Sequence, residues 1–502
     1  MGLRTVNEYK ESLKDGRIVY LCGKKIEDVT TDPMLKVGVD TAGVDYEMAE
    51  MPEFRDLATV TLEDGERISR HYYTPKNGED LLKRHELMVA STRLAGGIIP
   101  FTKDVSGDSM NAVNITANMM GKPEYSKRAE SYRRHLQKND LSVACAMTDV
   151  KGDRHLHPSD PRQKHPDYYV HVVAKNDEGI TVRGAKAHIT AAAYCDEILV
   201  LPCRNMREKD ADYAVSFAVP ANAKGIRHIC HPIGEGMKTS SELDFPVDIP
   251  ARMHTDSLII FDDVFVPWER VFLCGEWQFA MFLVYNFAYM HRHTAASYRI
   301  PISEVLVGMA QAAAEYNGIE NYSHVREKMT DLLIYLNTLK SLARASCLDY
   351  VVHEGIPIPN PVISNIAKYE FASKYHEAAR AVQDIAGGIV VTAPTYKDYQ
   401  NPEEREDIEK YLGGKAEIST EDRLRMLQLI RRMTASEMGG FLEVVALHAE
   451  GSLASQRMMV YGESSTELQE YKKLAEIAAG IKVESPPELP EYKKLYESMK
   501  GE

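Results

Sequence analysis

No two of the seven cysteines, Cys22, Cys145, Cys195, Cys203, Cys230, Cys274 and Cys347, stand within four residues of one another. That scatter excludes a CxxC metal knuckle and argues against a disulfide framework, so most are read as buried free thiols. A basic excess is also missing. The formal net charge is -14 and no basic stripe occurs, which excludes a general nucleic-acid binder, because phosphate contacts need clustered Lys and Arg. No run of roughly 18 apolar residues is present for a membrane span, and "MGLRTVNEYKESLKDGR" has no apolar signal core, so no membrane association and a cytoplasmic location are expected. No internal repeat is found.

What is present is an ordinary globular balance, 44% hydrophobic and 27% charged over 502 residues. A chain of that length is expected to form two or three domains that together exclude water from a sizeable site. In residues 1–145, "NGEDLLKRHELMVASTRLAG" and "EYSKRAESYRRHLQKN" space their apolar residues as amphipathic helices do, after a short β-like stretch, "GRIVYLCGKKIED". Residues 146–274 change to short β-branched runs with Gly and Pro boundaries, among them "DYYVHVVAKNDEGITVRGAKAHIT" and "SLIIFDDVFVP", the pattern of a compact β domain. Residues 275–480 return to helices, where Met329, Leu332, Leu333, Leu336, Leu339 and Leu342 recur at helical spacing and are expected to face a bundle. Residues 481–502 are Pro-interrupted and charged, a surface tail or an arm on a neighbouring subunit.

Four stretches carry possible chemistry. "AMTDVKGDR", Ala146 to Arg154, reads as a strand entering a loop that turns at Gly152. In "RGAKAHITAAAYCDE", Lys186, His188 and Thr190 alternate and are expected to share one face of a strand. In "AVQDIAGGIVVT", Gly387 and Gly388 interrupt a helix, either as its cap or to let the backbone approach a phosphate or a planar ring. "NFAYMHRHTAASYRIP", Asn286 to Pro301, sets two histidines and an arginine into what otherwise reads as a buried helix.

The first three stretches resemble the flavin-binding segments of the acyl-CoA dehydrogenase fold. Longer strings, "MTDVKGDR", "VRGAKAHIT", "FDDVFVPWERVFLCGE", "AAAEYNG", "DIAGGIVVT" and "QRMM", are similar to the 4-hydroxybutyryl-CoA dehydratase branch of the superfamily that also holds the 4-hydroxyphenylacetate 3-hydroxylase oxygenase component. The resemblance implies an α+β fold: an N-terminal helical domain, a middle β-barrel and a C-terminal helical bundle, assembled as a homotetramer, a dimer of dimers. It implies FAD, bound by Met147, Thr148, Asp149, Lys151, Gly152, Arg154, His188 and Thr190, with Gln383, Ala386, Gly387 and Gly388 reaching it from a second subunit.

The same resemblance implies departures. In the dehydratase the histidine matching His291 ligates a 4Fe-4S cluster beside FAD, and the three cysteine ligands fall at Pro100, Asp104 and Tyr298. Clusters of this kind need thiolates, so none is expected here. A family tyrosine falls at Ala295, a lysine at Arg299, and two glutamates at Asp256 and Val445. The Arg, Tyr and His that surround the phenol in the hydroxylase fall at Val105, Ser109 and Cys145. What remains is FAD chemistry on an acyl-CoA thioester: α,β-oxidoreduction, double-bond isomerisation or a dehydratase-like reaction without a cluster. His291 is the expected base, since imidazole titrates near neutrality. Tyr298 is expected to donate to a carbonyl and Arg299 to anchor an anion. His293, about 200° around the helix from His291, faces away. The competing readings are an aromatic hydroxylase fed by a flavin reductase, and a non-catalytic paralogue.

Overall fold

A computed structural model describes residues 3–232, 243–246, 253–483, 485, 487 and 488. Of the expected tail, residues 484, 486 and 489–502 lie outside the described residues. The fold mixes helix and sheet. Its two larger sheets are a six-stranded one in the order Lys24–Ile26, Val19–Leu21, Ile226–Cys230, Asp256–Pro267, Gly179–Thr190, His171–Lys175, and a four-stranded one in the order Val271–Cys274, Val215–Pro220, Glu197–Val200, Val143–Ala146. Alternating Val, Ile and Phe from both sheets, including Ile180, Val182, Ile259, Phe261, Ile198, Val200 and Phe217, bury one shared core. A bridge between Asp149 and Lys186 ties the loop that follows Val143–Ala146 to the six-stranded sheet. Two strands come from the N-terminal segment, where Val19–Leu21 pairs in parallel with Ile226–Cys230.

The helical core is organised by one helix of 40 residues, Trp277–Tyr316. It packs against Pro361–Ala386, Ser323–Leu348, Asp104–Met119 and Gly78–Leu94. Of the expected stripe, Leu332, Leu336 and Leu339 are buried, and Met329 and Leu342 pack partly against the same core. Leu333 is the exception at 46% exposure. It sits one residue past Leu332, so the roughly 100° step of a helix turns it off the packed face. The helix Gly78–Leu94 starts on Asn77, whose side chain accepts from the Asp80 amide, a capping contact that satisfies a donor left over at a helix start.

Candidate active site

Residues 291–299 of the long helix are all buried. Their main chain is served locally. Ser297 Oγ donates to the His293 carbonyl and Ser303 Oγ to the Arg299 carbonyl, each at 2.9 Å. Pro301 lacks the amide that would bond the Ser297 carbonyl one turn back. His293 points away from His291, with Nε2 3.1 Å from the Cys347 thiol and its ring 5.7 Å from that of His85.

His291 stacks on Phe287 and sets Nδ1 3.1 Å from Asp108 Oδ2. The other Asp108 oxygen accepts from Arg84 at 2.9 Å. A carboxylate can only accept here, so Nδ1 is the donor of this bond, and in the neutral ring the lone pair falls on Nε2. Asp108 lies on Asp104–Met119, and so does Asp104, one turn earlier.

A second buried cluster centres on Glu450, in the turn between helices Glu437–His448 and Leu453–Glu463. The Tyr298 hydroxyl donates to it, Arg299 Nη2 lies at 3.5 Å and Lys368 Nζ at 3.6 Å. Burial alone would raise its pKa. Arg299, Lys368 and His291 outweigh burial and hold it below the usual carboxylate range. Burial pushes Lys368 down to about 8. Among the described residues, Arg299 Nε and Nη2 make no hydrogen bond, nor does Glu450 Oε2. Tyr298 is therefore committed to Glu450 rather than free to meet a carbonyl, whereas Arg299 keeps donors to offer. Phe101 packs edge-on against both Tyr298 and His254. Glu450 escaped the sequence reading, because an acid before a glycine gives no periodic signal.

The flavin-like segments at Met147–Asp149 and Lys186–Thr190 meet in space. The Ala187 amide donates to the Thr148 carbonyl at 2.9 Å. Asp149 pairs with Lys186 at 2.9 Å and accepts from the Val170 amide. Lys186, His188 and Thr190 do not share one face. The ladder with Asp256–Pro267 shifts register between Ser257 and Ile259, and His188 takes φ 58°. This bulge reverses the alternation, so Lys186 turns inward while His188 is exposed and Thr190 bonds Asp256 Oδ1 at 2.6 Å. Lys151 and Gly152 turn the following loop with φ 77° and 53°, and Arg154 is exposed at its tip. A Cβ on Gly152 would lie 2.2 Å from Tyr168 Cδ2. Gly152→Ala is expected to cost about 1–3 kcal/mol, seen as a lowered thermal midpoint; an unchanged midpoint would show that Tyr168 yields freely.

The turn at 387–388 belongs to another part of the chain. Gly387, φ 79°, ends the helix Pro361–Ala386, Ala386 is buried, and Gln383 Nε2 donates to the Thr434 carbonyl at 2.6 Å. Open space surrounds both glycines, with no atom within 4 Å of a Cβ built on either.

The family description 4-hydroxyphenylacetate 3-hydroxylase N terminal matches residues 5–273, and its C-terminal counterpart matches residues 280–480. The chain belongs to the 4-hydroxyphenylacetate 3-hydroxylase family. Within that family it is 32% identical to the 4-hydroxybutyryl-CoA dehydratase/vinylacetyl-CoA-Delta-isomerase of Clostridium aminobutyricum, over 96% of this chain and 100% of that one. An oxygen-tolerant archaeal 4-hydroxybutyryl-CoA dehydratase from N. maritimus superposes with TM-score 0.86 at 30% identity, covering 98% of each chain. The oxygenase component of 4-hydroxyphenylacetate 3-monooxygenase, solved with FAD, superposes with TM-score 0.86 at 26% identity, covering 95% of this chain and 99% of that one.

Two groups that this family suggests can be tested against the residues present. For FAD the chain offers buried unpartnered polar atoms, His254 Nδ1 and Thr255 Oγ1, in the two residues before Asp256, which Thr190 bonds. For a 4Fe-4S cluster the donor set does not fit. Pro100, Asp104 and Tyr298 supply no thiolate, and Cys145, beside Ser109, is a thiol that burial pushes up to about 12.

Proposed function

We propose that this family member is an FAD-dependent enzyme of acyl-CoA thioesters that works by α,β-oxidoreduction or double-bond isomerisation without a 4Fe-4S cluster. The observation that carries this reading is the Asp108-oriented imidazole of His291, whose Nε2 is left as a buried base. FAD, when bound, supplies a hydride acceptor. Met147–Asp149, the loop at Lys151, Gly152 and Arg154, and His188 and Thr190 hold it in this reading. The open Gln383, Ala386, Gly387 and Gly388 turn meets it from a second copy within a homotetramer. Arg299, with unspent donors, anchors the carbonyl or an anionic group, and Tyr298 positions Glu450 beneath it.

The aromatic hydroxylase reading has less support, because the neighbours Val105, Ser109 and Cys145 carry none of the Arg, Tyr and His chemistry that the resemblance to that branch implies. The deciding experiment is the visible spectrum of the purified protein during titration with saturated and β,γ-unsaturated acyl-CoAs, with iron and acid-labile sulphide assayed in parallel. Retained flavin that responds to acyl-CoA, with neither iron nor sulphide, is the expected result. Stoichiometric iron and sulphide would sink the cluster-free reading. Oxygen consumption on phenols, seen only when a flavin reductase is added, would replace it with the hydroxylase.

A further inference from the structure

The helix Asp104–Met119 carries two acids one turn apart, and residues four apart in a helix share a face. Asp108 is fully occupied by His291 and Arg84. Asp104 is not: both its carboxyl oxygens are buried and, among the described residues, neither makes a hydrogen bond. Arg84 Nη2 takes the Asp104 main-chain carbonyl at 2.7 Å and leaves the side chain alone. Asp45, an acid whose charge reaches Asp104, is already engaged by Thr102 Oγ1 at 3.3 Å and His71 Nε2 at 3.7 Å. Tyr298 packs on Phe101, three residues before Asp104 in the chain, and its phenol feels the charge of Asp104.

A buried carboxylate with no donor is costly, so such a group is held as the neutral acid or is satisfied by a ligand. Burial, reinforced by Asp45 and Asp108 and opposed by His71 and the Val105 amide, pushes Asp104 up to about 6. A neutral acid whose hydroxyl bonds nothing in the protein is free to bond, or to give its proton to, whatever enters the site. The two acids thus have different duties, one orienting the base and the other unspent.

We propose that Asp104 is a second catalytic residue, a carboxylic acid that exchanges a proton with the substrate while His291 exchanges the other. The proposal rests on the acyl-CoA reading. In isomerisation of a β,γ-unsaturated thioester, His291 Nε2 takes the α-proton and the C–H electron pair becomes the α,β double bond. The former β,γ π pair forms a new C–H bond at the γ-carbon with the proton of Asp104. Imidazolium and carboxylate result, and one proton passing from His291 back to Asp104 restores both.

The test uses the flavin-loaded enzyme and but-3-enoyl-CoA in D2O, followed by NMR. Asp104→Asn is expected to keep α-deuterium exchange within a few fold and to lose isomerisation by about 100-fold or more, with Asp104→Glu restoring part of it. Infrared difference spectra of wild type against Asp104→Asn at pH 5 are expected to show the carbonyl stretch of a protonated carboxyl. Isomerisation at the wild-type rate in Asp104→Asn, or no such band, overturns the role of Asp104 and leaves the acyl-CoA reading standing. A wild-type enzyme that exchanges no α-proton of any acyl-CoA overturns that reading, and the role of Asp104 with it.

Discussion

Replacing His291 by alanine is expected to lower turnover by roughly 100- to 10,000-fold while flavin content stays at the wild-type level. The size follows from the work assigned to the ring. In the proposed reaction an acyl-CoA α-proton is removed by a base whose own proton affinity matches neutral pH, and an imidazole does so only if the accepting nitrogen is free and aimed. Asp108 fixes the tautomer through Nδ1, and Arg84 fixes Asp108. Asp108→Asn retains the imidazole but removes the carboxylate that orients it, so its loss should fall on kcat more than on KM. Turnover unchanged in His291→Ala would remove His291 as the base and shift attention to Glu450.

Glu450→Ala is expected to destabilise the fold by about 3–5 kcal/mol, because two buried cations lose their counter-charge. Arg299 and Lys368 both face this carboxylate, and Arg292 Nε donates to its main-chain carbonyl at 3.1 Å. Without the acid, Lys368 should fall further below its value of about 8. The pH dependence has a definite sign. Glu450 titrates lower in the folded chain than its ordinary value of 4.5, so it binds fewer protons folded than unfolded. Its contribution is complete above about 4.5 and is lost as pH falls through the folded pKa. Denaturant midpoints from pH 7 to pH 3 should therefore converge for wild type and Glu450→Ala at the acid end. A constant gap across that range would show that the lost contacts, not the charge, matter.

Asp104 has the opposite sign, with a folded pKa above its ordinary value. Between about pH 4 and 6 the folded chain holds its proton longer, so wild type loses stability relative to Asp104→Asn as pH rises through that window, by up to about 3 kcal/mol.

Much of this is legible in the sequence. The stripe from Met329 to Leu342, the β-branched runs from 171 to 274 and the polar insert at His291 follow from periodicity and composition, which report local geometry directly. Leu333 and His188 misled because each is one residue from a change of face. The first depends on where the neighbouring helix lies, and the second on a bulge opposite Leu258 that no alternation pattern announces. Asp108 could have been found, since acids four apart on a buried helix need partners. Glu450 could not, because nothing local separates it from the other acids near the C-terminus.

The sequence by itself determined the family, the missing thiolates and the candidacy of His291, since each depends on which residue types stand in which order. Only the tertiary structure decided what each polar group does. It gave Asp108 to His291, bound Tyr298 to Glu450, and left Asp104 and Arg299 with unspent hydrogen-bonding capacity. The reason is physical. A charge's duty depends on which partners burial brings to it, and those partners come from helices and turns tens to hundreds of residues apart in the chain.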